Sequence, residues 1–162
     1  MPTVRKICYP YLDDVGRIYD SARKFMRNSG NPHQWSDGYP NRCVSARDMS
    51  EGTLYGVFSE DRLCGVFFFR VGEDETYNYI ENGCWLNSNP YGVIHRIAGD
   101  GSCKGILKAA VDLAFTKISD VRIDTHRDNH VMQRHLEAMG FSRCGIIYIK
   151  NGEERIAYHK SI

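Results

Sequence analysis

Two polar residues, His95 and Arg96, interrupt the otherwise apolar run Tyr91–Ala98 (YGVIHRIA). An imidazole has an ordinary pKa of about 6.5 and so trades protons near neutral pH. A histidine inside an apolar strand is therefore either a hydrogen-bonded core residue or a base. Just beyond this run, Gly99, Gly101 and Gly105 punctuate a turn that opens an apolar helical pattern. Unpaired N–H groups and the dipole at such a helix start attract anions. Arg122, Asp124 and His126 alternate onto one face of a later strand, where an Asp124–His126 or Asp124–Arg96 pair would be structural or catalytic. His130 and His135, five apart, fall on different helix faces, so with His126 they do not make the zinc pattern of two histidines one turn apart. No metal is expected. Cys103 near the helix start has no convincing partner for a thiol nucleophile.

These residues need a scaffold, and 162 residues suffice for one compact domain, taken as residues 1–162. The net charge is +1 and like charges do not cluster, which removes the electrostatic footprint of a nucleic-acid binder. No window approaches the roughly 20 apolar residues of a membrane span. The start, Met1 to Lys6, lacks the apolar core of a signal peptide. The expectation is a cytoplasmic protein without nucleic-acid or membrane partners. Six scattered cysteines with no C-x-x-C read as reduced thiols, mostly core filler.

The elements follow from periodicity. Val4–Cys8 alternates as a strand, and apolar residues from Leu12 to Met26 recur at helical spacing. Residues 28–41 (NSGNPHQWSDGYPN) hold two prolines and two glycines beside Trp35 and Tyr39, and read as a long ordered loop. A short helix near Ser45–Met49 precedes a hairpin of Leu54–Phe58 and Leu63–Val71. Glu73–Glu75 makes an acidic turn, and Tyr77–Trp85 is ambiguous. Tyr91–Ala98 is a strand, Gly105–Ile118 a helix, Val121–Thr125 a strand, and Val131–Met139 a helix capped by Asp128 or Asn129 and stopped by Gly140. A final hairpin turns at Asn151-Gly152. The fold class expected is α/β: a mixed sheet with helices on both faces.

The segments GDGSCKGILKAAVDLAF (Gly99–Phe115) and NHVMQRHLEAMGF (Asn129–Phe141) resemble the pyrophosphate loop and the Asn-to-Gly-Phe helix of the GNAT superfamily of acyl-CoA-dependent N-acetyltransferases. RIDTHRDN and the C-terminal hairpin resemble a bacterial subgroup of unassigned substrate. The resemblance implies acetyl-CoA as co-substrate. It implies pantetheine bound by the backbone of Ile97 and Ala98, diphosphate on Gly101, Ser102, Cys103, Lys104, Gly105 and Ile106, and a further contact from Asn129. Gln34, Trp35 and Tyr39 then line the acceptor pocket. Only the first glycine of the family's loop pattern survives, Leu107 stands where it could crowd the phosphates, and Lys104 offers a compensating charge. The family's Tyr on the second helix is Leu136 here, which leaves Tyr148 as the substitute acid. His95 is the first choice of base and Glu81 the second. The implied activity is acetyl transfer to a primary amine of a small-molecule or peptide acceptor. A GNAT-shaped CoA-binding or regulatory module without catalysis is the alternative, and a homodimer stays open.

Overall fold

A computed structural model describes residues 1–162. In chain order it has β1 (Thr3–Lys6), α1 (Leu12–Asn28), α2 (Arg42–Ser50), β2 (Leu54–Ser59), β3 (Arg62–Val71), β4 (Gly92–Gly99), α3 (Ile106–Phe115), β5 (Asp120–Thr125), α4 (His130–Ala138), β6 (Ser142–Tyr148) and β7 (Glu154–Ser161). The seven strands form one sheet in the order β1-β2-β3-β4-β5-β7-β6. Every neighbouring pair is antiparallel except β4 with β5. The mixed sheet and the helices on both faces are as the patterning predicts.

Successive side chains of a strand point to opposite faces, and the central strands are covered on both, so that Leu63–Phe69 of β3 is buried without a break. On one face Leu107, Ala110, Val111 and Ala114 of α3 and Leu136 of α4 pack on Phe67, Ile94, Ile123 and Tyr158. On the other, Val15, Ile18, Tyr19 and Ala22 of α1 cover Leu54, Phe58, Val66 and Ala98. The rest of that second face is covered by residues 72–91, whose Tyr77 and Tyr91 bury Val93, Ile147 and Ala157. This stretch, ambiguous from its sequence, holds one 3-10 turn (Glu75–Tyr77) and a single bridge from Glu81 to Ile146.

The loop between α1 and α2 is ordered, with Trp35 edge-on to both Tyr19 and Tyr39. Asn41 caps α2 by accepting from the Val44 N–H. Asn129 caps α4 in the same way through Met132.

The cysteines differ from expectation. Cys64 on β3 and Cys103 in the loop before α3 form a disulfide, with Cα atoms 6.1 Å apart; Cys8, Cys43, Cys84 and Cys144 are free. A separation of 39 residues carries no local pattern; only the sheet order brings the two together. Beside the disulfide, Gly65 of β3 pairs with Gly99 of β4. A Cβ on Gly65 would lie 2.4 Å from Ile106 Cδ1, so the two glycines form a slot that seats the first residue of α3.

Candidate functional site

The parallel pair β4–β5 is hydrogen-bonded only at its start, Gly92 with Val121 and Val93 with Arg122. Beyond that the strands part, and a cavity of about 810 Å³ opens between Ile94–Ile97 and Ile123–Thr125. A register shift in the β3–β4 ladder puts Arg96 at φ 50°. This local bulge lets both His95 and Arg96 lie over Phe68, on the α1 face of the sheet.

The cavity consequently has two differently lined arms. On the α3 face Ile94, Ile97, Ile123 and Met132 make an apolar wall, and Thr125 shares their strand face through its two-residue spacing from Ile123. On the α1 face the lining is charged, with Asp48, Glu51, Glu73, Asp74, Glu75 and Asp124 against Arg47, Arg70 and Arg96. Gln34, Trp35 and Tyr39 line this arm as well. Gln34 is fastened there: its side-chain oxygen accepts from Asn31 and Asn129, and its backbone carbonyl accepts from Arg155.

His95 is flanked by two carboxylates. Its Nε2 lies 2.8 Å from Asp74 Oδ2, and its Nδ1 lies 3.6 Å from Asp124 Oδ2. The bond to Asp74 assigns the proton of a neutral ring to Nε2 and leaves the Nδ1 lone pair facing β5. Asp74 is itself fixed by the backbone N–H and hydroxyl of Thr76. Burial works to raise the Asp74 pKa, but the bonds from His95 and Thr76 outweigh it and hold the carboxyl well below its usual range. The Tyr77 hydroxyl donates to Asp124 at 2.6 Å, and burial, reinforced by that carboxylate, pushes its pKa well up, so it stays a donor. Neither pair expected for Asp124 forms: Arg96 bonds to Asp48 at 2.7 Å, and His126 Nδ1 accepts from the Asp128 N–H. The network missed from sequence is Asp74 and Tyr77, both in the covering stretch between β3 and β4, where no periodicity points to a partner.

Tyr148 and Glu81 do not reach this cleft. The Tyr148 hydroxyl donates to Glu81 at 2.5 Å, Tyr79 donates to the other Glu81 oxygen, and neither Glu81 nor Tyr148 lines the cavity. The bond to Glu81 pushes the Tyr148 pKa up to about 12, which suits a held donor better than an acid. Leu136 is fully buried in the core.

Ile97 and Asn129 line the cleft. Ala98 turns its side chain toward α1. Gly101, Ser102, Cys103, Lys104, Gly105 and Ile106 form the loop and first turn of α3, outside the cavity lining. Gly105 takes φ 82°, a left-handed conformation that suits glycine. Leu107 is buried with the core and does not project over the helix start. Asp100 accepts from Ser102 within the loop and from Arg17 and Arg62 outside it. Burial opposes the resulting fall in its pKa, but the hydrogen bonds and the two guanidinium groups prevail. Lys104, exposed in the loop, balances Asp100 within it, and Arg17 and Arg62 bring two further positive charges to its edge. No group of three or more His, Cys, Asp or Glu is placed to hold a metal ion, and no helix is long and apolar enough to cross a membrane.

No family model matches the chain, and no curated protein matches it. Solved structures do. A GNAT-family acetyltransferase from Streptococcus agalactiae is 28% identical with a TM-score of 0.88, over 99% of this chain and 95% of that one. A GNAT-family acetyltransferase from Listeria monocytogenes is 19% identical with a TM-score of 0.72, over 99% of this chain and 95% of that one. The PaiA N-acetyltransferase from Thermoplasma acidophilum, solved in complex with coenzyme A, is 14% identical with a TM-score of 0.68, over 100% of this chain and 99% of that one. The chain has the GNAT fold along its whole length, and the resemblance read from its motifs stands. That similarity supports acyl transfer.

Proposed function

We propose that this protein is an N-acetyltransferase that moves the acetyl group of acetyl-CoA to a primary amine of a small-molecule or peptide acceptor. The observation that carries the reading is the opening between β4 and β5, apolar on the α3 face and charged on the α1 face. An acyl-pantetheine arm suits the first wall and an amine the second. The unpaired N–H groups at the α3 start, with Arg17, Arg62 and Lys104 near them, suit a diphosphate.

His95 is the base. With Nε2 committed to Asp74, Nδ1 takes the proton of the bound ammonium, and Asp74 and Asp124 stabilise the imidazolium that results. The freed amine attacks the thioester carbonyl, the C–N bond forms, the C–S bond breaks with its electron pair on sulfur, and the second proton, shed by the acylated nitrogen, passes to solvent. Gln34, Trp35 and Tyr39 bound the acceptor side.

A two-stage experiment tests this. Acetyl-CoA at 100 times its dissociation constant should stabilise the protein by about 2.7 kcal/mol in thermal unfolding. Free thiol release across a panel of amines should then identify a turned-over acceptor. No stabilisation at millimolar acetyl-CoA overturns the reading. Stabilisation without thiol release from any amine favours a CoA-binding module instead.

A further inference from the structure

Five buried side-chain polar atoms have no hydrogen-bond partner: Tyr19 Oη, Asn31 Oδ1, Arg96 Nε, Arg122 Nε and Thr125 Oγ1. Two of these residues line the cleft, and Arg96 already spends its charge on Asp48. Thr125 is different, being 1% exposed with its hydroxyl its only polar side-chain group. A buried hydroxyl without a partner carries an uncompensated desolvation cost, which a ligand in the cleft would relieve.

Its position says which part of the ligand. Continuing the β4–β5 register residue by residue from Val93 opposite Arg122 sets Thr125 level with Arg96, beside Ile97. Thr125 lies on the apolar side of the opening, while His95 and Asp124 face the charged side. Of the other hydroxyls near the opening, Thr76 is engaged on Asp74 and Tyr77 on Asp124, while Ser36 and Tyr39 belong to the loop that lines the charged arm, across the opening from the apolar wall. Tyr148 is held on Glu81 outside the cleft, and the family's tyrosine position is a core leucine. The sulfur that departs when the thioester breaks thus lacks any of the donors expected for it.

We infer that the Thr125 hydroxyl is the hydrogen-bond donor to the sulfur of the acyl donor, an assignment that rests on the acetyltransferase reading. The C–S electron pair stays on sulfur, the first ammonium proton goes to His95 Nδ1, the second, shed by the acylated nitrogen, goes to solvent, and Thr125 keeps its own proton while its O–H stabilises the thiolate.

The test needs no acceptor. Calorimetric binding of CoA and of desulfo-CoA, which lacks the sulfur, is compared at about pH 9, above the ordinary thiol pKa of about 8.5. The parent should prefer CoA by roughly threefold to tenfold, the worth of one hydrogen bond. Thr125→Val should bring that ratio to near one while keeping the affinity for desulfo-CoA, and Thr125→Ser should retain the preference. If the valine variant does not fold, Thr125→Ala gives the same comparison. An undiminished preference in a folded variant without the hydroxyl overturns the inference and leaves the acetyltransferase reading intact. A parent that binds neither ligand overturns both.

Discussion

At the scale of single residues, the centre of the cleft is an imidazole whose two nitrogens have different tasks. Asp74 holds one and thereby fixes the tautomer; the other faces the space between β4 and β5. His95→Ala should lower kcat/KM by at least ~100-fold, because general-base assistance is typically worth about 10²–10⁴. Acetyl-CoA should stabilise the variant as it does the parent, since no contact expected for CoA involves this side chain. Thermal shift and steady-state kinetics on the same preparation check both halves. His95 was legible in the sequence because a polar residue inside an apolar strand demands a partner. Its partners were not, because Asp74 lies 21 residues back in a stretch that the sequence marks only as an acidic turn. Tyr148 and Glu81 were legible as reactive types, but their mutual bond is a product of the bridge between Glu81 and Ile146.

At the scale of elements, the start of α3 is held from two sides, by the Gly65–Gly99 slot under Ile106 and by the disulfide between Cys64 and Cys103. Gly105→Asp should abolish the stabilisation by acetyl-CoA. It strains a left-handed residue and sets a carboxylate among N–H groups meant for an anion. Gly105→Ala, strained by about 1 kcal/mol but uncharged, should keep most of the shift. Reduction of the disulfide should cost about 4 kcal/mol of stability, the loop-closure value for a cross-link spanning 39 residues. Denaturant titration with and without reductant, and of Cys103→Ser, measures it. The strands and helices were legible because burial on one face imposes periods of two and 3.6. The disulfide was not, for pairing across β3 and β4 depends on sheet order, which composition and spacing do not encode.

At the scale of the whole molecule, buried histidines set the response to acid. His159 is fully buried on Asp120. Burial lowers its pKa more than that carboxylate restores it, and burial with the charge of Arg155 lowers His126 likewise. A histidine held neutral in the folded state lags the unfolded chain in taking up a proton. Stability should therefore be constant above the unfolded pKa of about 6.5 and fall as pH drops below it. Melting temperatures measured from pH 8 down to 5 should show this decline, and His159→Gln should flatten it. An unchanged slope in that variant would mean that His159 does not contribute.

The two arms of the cleft are also made of different material. The apolar arm is strand and helix, in which each residue is bound by register. The charged arm is drawn mainly from three connecting stretches, residues 33–39, 73–76 and 149–153, together with the end of α2. Connections tolerate substitution and insertion that sheets do not. If the acetyltransferase reading holds, descendants of this chain can diverge in the amine they accept through changes to three separate loops, while the sheet and helix that make the apolar arm leave far less room for change.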